Sequence, residues 1–178
     1  MKYVLLLRGI NVGGKNKVSM ADLKNMILSL GYENVITYIN SGNILFDSTD
    51  NIDTVNVNIS QILNSFPFKI NKVILTKQEY LEELENLPMW WKDELYRKDV
   101  LFYSDDIDYS IIKERINNMP LNDENVHFGK IAIFWGKFNE KNYLNTSYHK
   151  YLIKEPFYKY ITIRNGRTFM KIIELLDN

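Results

Sequence analysis

Short β-rich runs and helical-period segments alternate along this chain in an order that occurs twice, and that order leaves few folds open. Residues 3–7 form an uninterrupted apolar run of strand length, as expected for a central strand buried on both faces. Ser19, with Asp22 three residues on, reads as the start of a helix. Met20, Leu23, Ile27 and Leu30 then recur at helical spacing, and Gly31 follows as the residue that ends it. Residues 35–39 and 44–46 are β-rich, and Asn40, Ser41, Gly42 and Asn43 between them carry turn chemistry. Ile52, Val55, Ile59, Ile62 and Leu63 mark a second amphipathic helix, and residues 68–75 another strand. The order β-α-β-β-α-β is that of a ferredoxin-like unit.

The pattern then starts again. Thr76 reads as the cap of a connecting helix with Gln78 and Glu79 in its first turn, and residues 85–97 are irregular, with Pro88, Trp90 and Trp91. Residues 100–103 suit a strand, and Ile107, Ile111, Ile112 and Ile116 suit a helix. Residues 126–128 and 131–135 suit a hairpin around Gly129 and Lys130. Residues 140–152 are expected to be helical, 160–163 to be a strand and 167–176 to close the chain as a helix. The expected fold is α+β, with two ferredoxin-like halves in tandem and an added C-terminal helix. The N-terminal half takes residues 1–75, the connecting helix and aromatic loop 76–97, and the C-terminal half with its final helix 98–178. The duplication rests on element order, because no residue-level repeat joins the halves. Trp90 and Trp91 lie in a stretch without periodicity, so they are not both expected to be fully buried.

Composition narrows the chemistry. The 178 residues contain no cysteine, which removes disulfides, thiolate metal sites and cysteine nucleophiles. Lysine plus arginine (22) balances aspartate plus glutamate (22), so the whole chain lacks the positive field on which nonspecific nucleic-acid binding rests. Nucleic acid is not the expected partner, and the aromatic second half lacks the signature string of RNA-recognition modules. No apolar run approaches the roughly 18 residues of a membrane span. A cytoplasmic protein with no membrane association is expected.

Three strings are distinctive. Arg8-Gly9-Ile10-Asn11-Val12-Gly13-Gly14 is followed by Asn16, Lys17, Val18 and Met20. Thr37-Tyr38-Ile39-Asn40-Ser41-Gly42-Asn43 is the second. Thr162-Ile163-Arg164-Asn165, with Thr168 and Lys171, is the third. Together they resemble the bacterial family known as domain of unknown function 1697. The resemblance implies a cytoplasmic α+β protein of this size, and it implies no activity, substrate or catalytic residue.

The first loop comes closest to a chemical motif. Gly9-x-x-x-x-Gly14-Lys15 matches most of a phosphate loop between a strand and a helix. Asn16 stands where a serine or threonine would reach magnesium, and the helix begins at Ser19 rather than at the loop, so a nucleotide triphosphatase is not expected. Two readings of the loop remain. One is a tight turn that needs positive φ at glycine. The other is an ordered, anion-attracting loop, in which glycine amides converge and Arg8, Lys15 and Lys17 supply charge. The candidate ligand set for a small anion, phosphate or carboxylate, is Arg8, Asn11, Gly13, Gly14, Lys15, Lys17, Ser41, Asn43, Arg164 and Asn165. Asn165 also reads as the cap of the last helix. The end of the first strand and the Ser41–Asn43 turn are expected at opposite edges of their sheet, which makes a shared site hard to build. His127 and His149 have no ligand spacing, so no metal and no cofactor is expected. The competing reading is an interaction module that meets a protein or RNA partner, or a second copy, through the Trp90 and Trp91 loop.

Overall fold

The computed structural model describes residues 1–104 and 107–177. Its backbone contacts divide the chain into two compact units. One is Met1–Leu81 with the C-terminal stretch from Ile172, and the other is Glu82–Lys171.

In the first unit the strands are β1 (Lys2–Arg8), β2 (Glu33–Tyr38), β3 (Asn43–Asp47) and β4 (Asn71–Thr76). They form one antiparallel sheet in the order β2-β3-β1-β4. The helices are α1 (Met20–Leu28) and α2 (Ile52–Leu63). The apolar run of β1 is central as expected, and Tyr3 through Leu7 are all fully buried. Tyr3, Leu5 and Leu7 join Ile44 and Phe46 of β3, Leu23 and Ile27 of α1, and Val55, Ile59 and Leu63 of α2 in one apolar core. Each such side chain contributes about 1.5–3 kcal/mol by leaving water. Local signals set the boundaries. The Ser19 hydroxyl accepts from Asp22 N at 3.2 Å, and the Asn51 carbonyl oxygen accepts from Thr54 N at 2.9 Å. Thr76 and Glu79 form a reciprocal capping box that opens α3 (Lys77–Glu85).

The second unit repeats this topology. Its strands are β5 (Arg97–Tyr103), β6 (Glu124–Phe128), β7 (Ala132–Lys137) and β8 (Ile161–Asn165), in the sheet order β6-β7-β5-β8. Helix α4 (Tyr109–Asn117) follows β5, and α6 (Gly166–Leu176) leaves β8. The two tandem ferredoxin-like halves and the C-terminal helix are therefore present. The helix expected over residues 140–152 is not. That stretch forms a single turn, α5 (Ser147–Lys150), between short 3-10 turns at Tyr143–Asn145, Leu152–Lys154 and Pro156–Tyr160. The cause is local. The Thr146 hydroxyl caps α5, Pro156 starts a new turn, and buried Tyr148, Leu152 and Phe157 satisfy the core without a continuous helix. The Trp90 and Trp91 segment is a 3-10 turn at Met89–Lys92. Trp91 is buried, with its ring edge-on to Phe134 at 5.2 Å, whereas Trp90 remains partly exposed. Among the described residues no helix is long and apolar enough to cross a membrane.

Candidate functional site

Strands β1 and β2 run in the same direction, because α1 carries the chain back between them. The end of β1 and the β2–β3 turn therefore share one sheet edge, which corrects the expectation that they lie at opposite edges. The register makes this concrete: Leu6 pairs with Asn43, and Leu7 N donates to Gly42 O at 2.8 Å. Gly42 sits at φ +79°, and a Cβ there would lie 2.6 Å from Leu7 Cβ, so the close approach of the two strings requires glycine.

The loop after β1 is ordered by its own hydrogen bonds. Lys15 N donates to Val12 O and Asn11 N to Asn16 O, each at 3.0 Å, which makes residues 11–16 a miniature hairpin. Gly13 and Gly14 occupy its two central positions at φ 57° and 75°, as a primed turn demands. Asn16 Nδ2 donates to Gly9 O at 2.9 Å and closes the base. Asn11 is the stitch between loop and turn. Its Nδ2 donates to both Val18 O and Asn40 O at 2.9 Å, and its Oδ1 accepts from Val18 N at 2.8 Å. Asn11 is thus a structural residue of the site rather than a spare donor. Asn43, fully buried, donates to Tyr38 O and to the Ser41 hydroxyl and holds the turn from below.

These elements enclose an open depression of about 500 Å³, lined by Asn11, Gly14, Lys17, Ser19, Met20 and Asn40 among others. Ser19 and Met20, where α1 begins, are part of its lining. Ser19 satisfies the amides of Asp22 and Leu23, while among the described residues the amides of Met20 and Ala21 have no partner. Lys17 lines the depression, and Lys15 lies on the exposed hairpin. Neither lysine has an ion-pairing carboxylate among the described residues. Arg8, half-buried, ends β1 opposite Asn71. No acid occurs between Arg8 and Ala21. The arrangement is electropositive and rich in amide donors.

Arg164 and Asn165 belong to the second unit. The Asn165 carbonyl oxygen accepts from Thr168 N at 2.8 Å and caps α6, so its side chain is committed to the helix. Arg164 is buried in β8 opposite Val100, with one guanidinium nitrogen donating to Ile163 O.

The second unit also holds a polar cluster that sequence reasoning missed. Asp99 and Lys137 are both fully buried, with Lys137 Nζ 2.5 Å from Asp99 Oδ2. Arg97 Nε donates to the same carboxylate at 2.9 Å, and its terminal nitrogen reaches the Tyr143 hydroxyl at 3.0 Å. Lys137 Nζ lies 3.4 Å from the centre of the Tyr148 ring. Burial pushes the Lys137 ammonium below the usual lysine value, against the pull of Asp99. His149 is also held below the ordinary imidazole value, by burial and then by Lys137 and Arg97. Beneath this cluster, the Glu124 carboxylate accepts from Trp135 Nε1 at 2.9 Å and from the amides of Ser147 and Tyr148, which fixes the first turn of α5. One signal was available in the sequence: Asp99 and Lys137 each continue an apolar strand run. The β5–β7 register that brings them together was not. Among the described residues no group of three or more metal-type ligands converges.

The structure is similar to that of the conserved bacterial protein SP0830 from Streptococcus pneumoniae. The two share 48% sequence identity over 98% of each chain, with a TM-score of 0.94. No curated protein matches the chain. The sequence profile of a family described as a protein of unknown function, DUF1697, matches residues 1–134 and so takes in the first two distinctive strings, while the third lies beyond the match. With most of its length matched, this chain belongs to the DUF1697 family.

Proposed function

We propose that the protein binds a small anionic molecule, carrying a phosphate or carboxylate, in the depression at the first-unit sheet edge. One observation carries the reading: Lys17 lines the same opening as Ser19 and Met20, where α1 begins with unpartnered amides, and Asn11 pins the walls of that opening. Oriented amides and a helix N-terminus stabilise negative charge, and a lysine adds a charge-assisted contact of about 1.5–3 kcal/mol. The loop is held by its own hydrogen bonds, so binding costs little ordering entropy. The reading places the protein in the cytoplasm, a compartment rich in phosphorylated and carboxylated small molecules. The aromatic second half favours this reading over an interaction module, because Trp91 is committed to Phe134 and Phe169 inside its own unit.

The test is a thermal-shift titration with phosphate, sulfate and acetate on the wild type, Lys17→Ala and Lys15→Ala. Stabilisation follows RT ln(1 + [L]/Kd). Lys17→Ala is expected to weaken binding roughly tenfold or more, and Lys15→Ala to weaken it less, since Lys17 lines the depression. Identical titrations for the wild type and Lys17→Ala defeat the reading.

A further inference from the structure

Among the described residues, the buried side-chain atoms without a hydrogen-bond partner are Glu83 Oε1, His149 Nε2 and Thr162 Oγ1. Of these, only His149 belongs to a side chain whose ordinary proton equilibrium lies near neutrality. His149 sits in α5, the single turn that stands where a longer helix was expected. Its ring packs edge-on against Tyr143, with centroids 4.2 Å apart, and lies 5.7 Å from the Tyr148 ring. Those two tyrosine rings are part of the enclosure of the buried Asp99–Lys137 pair. Lys137 Nζ is 3.4 Å from the centre of the Tyr148 ring and 5.4 Å from that of Tyr143. Tyr143, half-buried, is held at its hydroxyl by Arg97 and at its ring by the imidazole.

A neutral imidazole suits this seat and an imidazolium does not. The charged ring donates from both nitrogens, and the shielded Nε2 has no acceptor there. The surrounding charges add to the mismatch. Lys137 of β7 and Arg97 of β5 repel a positive ring. Asp99 of β5 and Glu124 of β6 attract it, but Asp99 is already shared by Lys137 and Arg97, and Glu124 already accepts from Trp135 Nε1 and the amides of Ser147 and Tyr148. The Tyr143 ring already carries Arg97 and Lys137, and the Tyr148 ring, with Tyr158 beside it, already carries Lys137. A further cation gains little from either face. As pH falls, the unfolded or opened segment therefore takes up this proton before the seated ring does. The contribution of the seat is present above 6.5 and is lost as pH falls from there through the depressed folded value.

We propose that His149 is an acid-sensitive latch: its neutral ring holds Tyr143 and the first turn of α5 against the buried Asp99–Lys137 pair, and protonation releases them. The geometry makes the release local. Residues 143–149 form two short turns rather than a continuous helix. They are tied to the rest of the unit by a small set of contacts: Arg97 to the Tyr143 hydroxyl, Glu124 to the amides of Ser147 and Tyr148, and the Ser147 hydroxyl to Pro120 O. On protonation the ring turns to water and Tyr143 keeps only its hydroxyl contact to Arg97. The amides of Ser147 and Tyr148 then open to solvent, and water reaches Lys137. The latch belongs to the second unit and is independent of the anion-binding reading.

The experiment follows the His149 ring by proton NMR as pH is lowered, and measures amide hydrogen exchange at Ser147 and Tyr148 at about pH 7.5 and about pH 5, corrected for the intrinsic rate. The full chain is used throughout. The wild-type ring is expected to titrate below 6.5. In acid the two amides are expected to lose protection roughly fivefold or more relative to Val4 and Leu5 of the first-unit sheet. His149→Gln cannot take up the proton and is expected to show the same protection at both pH values. His149→Phe keeps an aromatic contact for Tyr143 and gives the same readout where the glutamine variant folds poorly. A ring that titrates at or above 6.5 overturns the proposal. So does wild-type protection that is equal at both pH values, or an acid loss of the same size in a folded variant.

Discussion

Replacing Asp99 with asparagine keeps the volume of the side chain and removes the charge that holds Lys137. In the folded protein Lys137 Nζ is fully buried 2.5 Å from Asp99 Oδ2, and Arg97 shares the same carboxylate. Without it the lysine faces the Tyr148 ring and the more distant Glu124 charge. Removing one partner of a buried pair costs about 3–5 kcal/mol, because a buried charge is left uncompensated. The loss depends on pH in a defined direction. The folded-state value of Lys137 already lies below the ordinary 10.5, so the folded chain releases this proton before the unfolded chain does. Stability therefore rises with pH between the depressed folded value and 10.5, and Asp99→Asn widens that window downward. Urea denaturation is expected to show the full deficit near neutral pH and a smaller one at about pH 10. The double variant Asp99→Asn/Lys137→Met is expected to recover most of the loss, since an apolar isostere removes the stranded charge. A deficit below about 1 kcal/mol, or one that is the same at both pH values, refutes the reasoning.

Three further outcomes follow from named contacts. Glu83, buried and accepting from Lys130 N at 3.0 Å, has its carboxyl raised above 4.5 by burial, so the folded chain holds this proton more tightly than the unfolded one. Its contribution is greatest below 4.5 and is lost as pH rises through the raised value; Glu83→Gln should flatten that part of the melting-temperature profile and raise it near neutral pH. Gly42→Ala places a Cβ 2.6 Å from Leu7 Cβ at φ +79° and should cost about 2–4 kcal/mol in urea denaturation. Asn11→Ala removes two hydrogen bonds to Val18 within the loop and one to Asn40 of the β2–β3 turn; hydrogen exchange should show the amide of Val18 losing its protection, with a stability loss of about 2–3 kcal/mol.

The sequence by itself determined the elements whose cause is local. The apolar run of β1, the caps at Ser19, Asn51 and Thr76, the turn at Gly42 and the β-α-β-β order of each half all follow from side chains acting on their near neighbours in the chain. The segment over residues 8–17 was legible as a glycine turn with three cations, because glycine spacing and charge are written directly in the sequence. What the strings do together was decided by tertiary structure. Whether β1 and the β2–β3 turn share an edge depends on strand direction, and the ordered return of the chain through α1 sets that direction. Asn11 became a stitch rather than a ligand donor because Val18 O and Asn40 O, the second 29 residues away, both fall within 2.9 Å of its amide. The pairing of Asp99 with Lys137, 38 residues apart, depends on the β5–β7 register, and a shift of one residue would send each side chain to the opposite face. The short turns in place of a helix over residues 140–152 have the same origin: Glu124, fixed in β6, captures the amides of Ser147 and Tyr148, and no periodicity within residues 140–152 carries that contact.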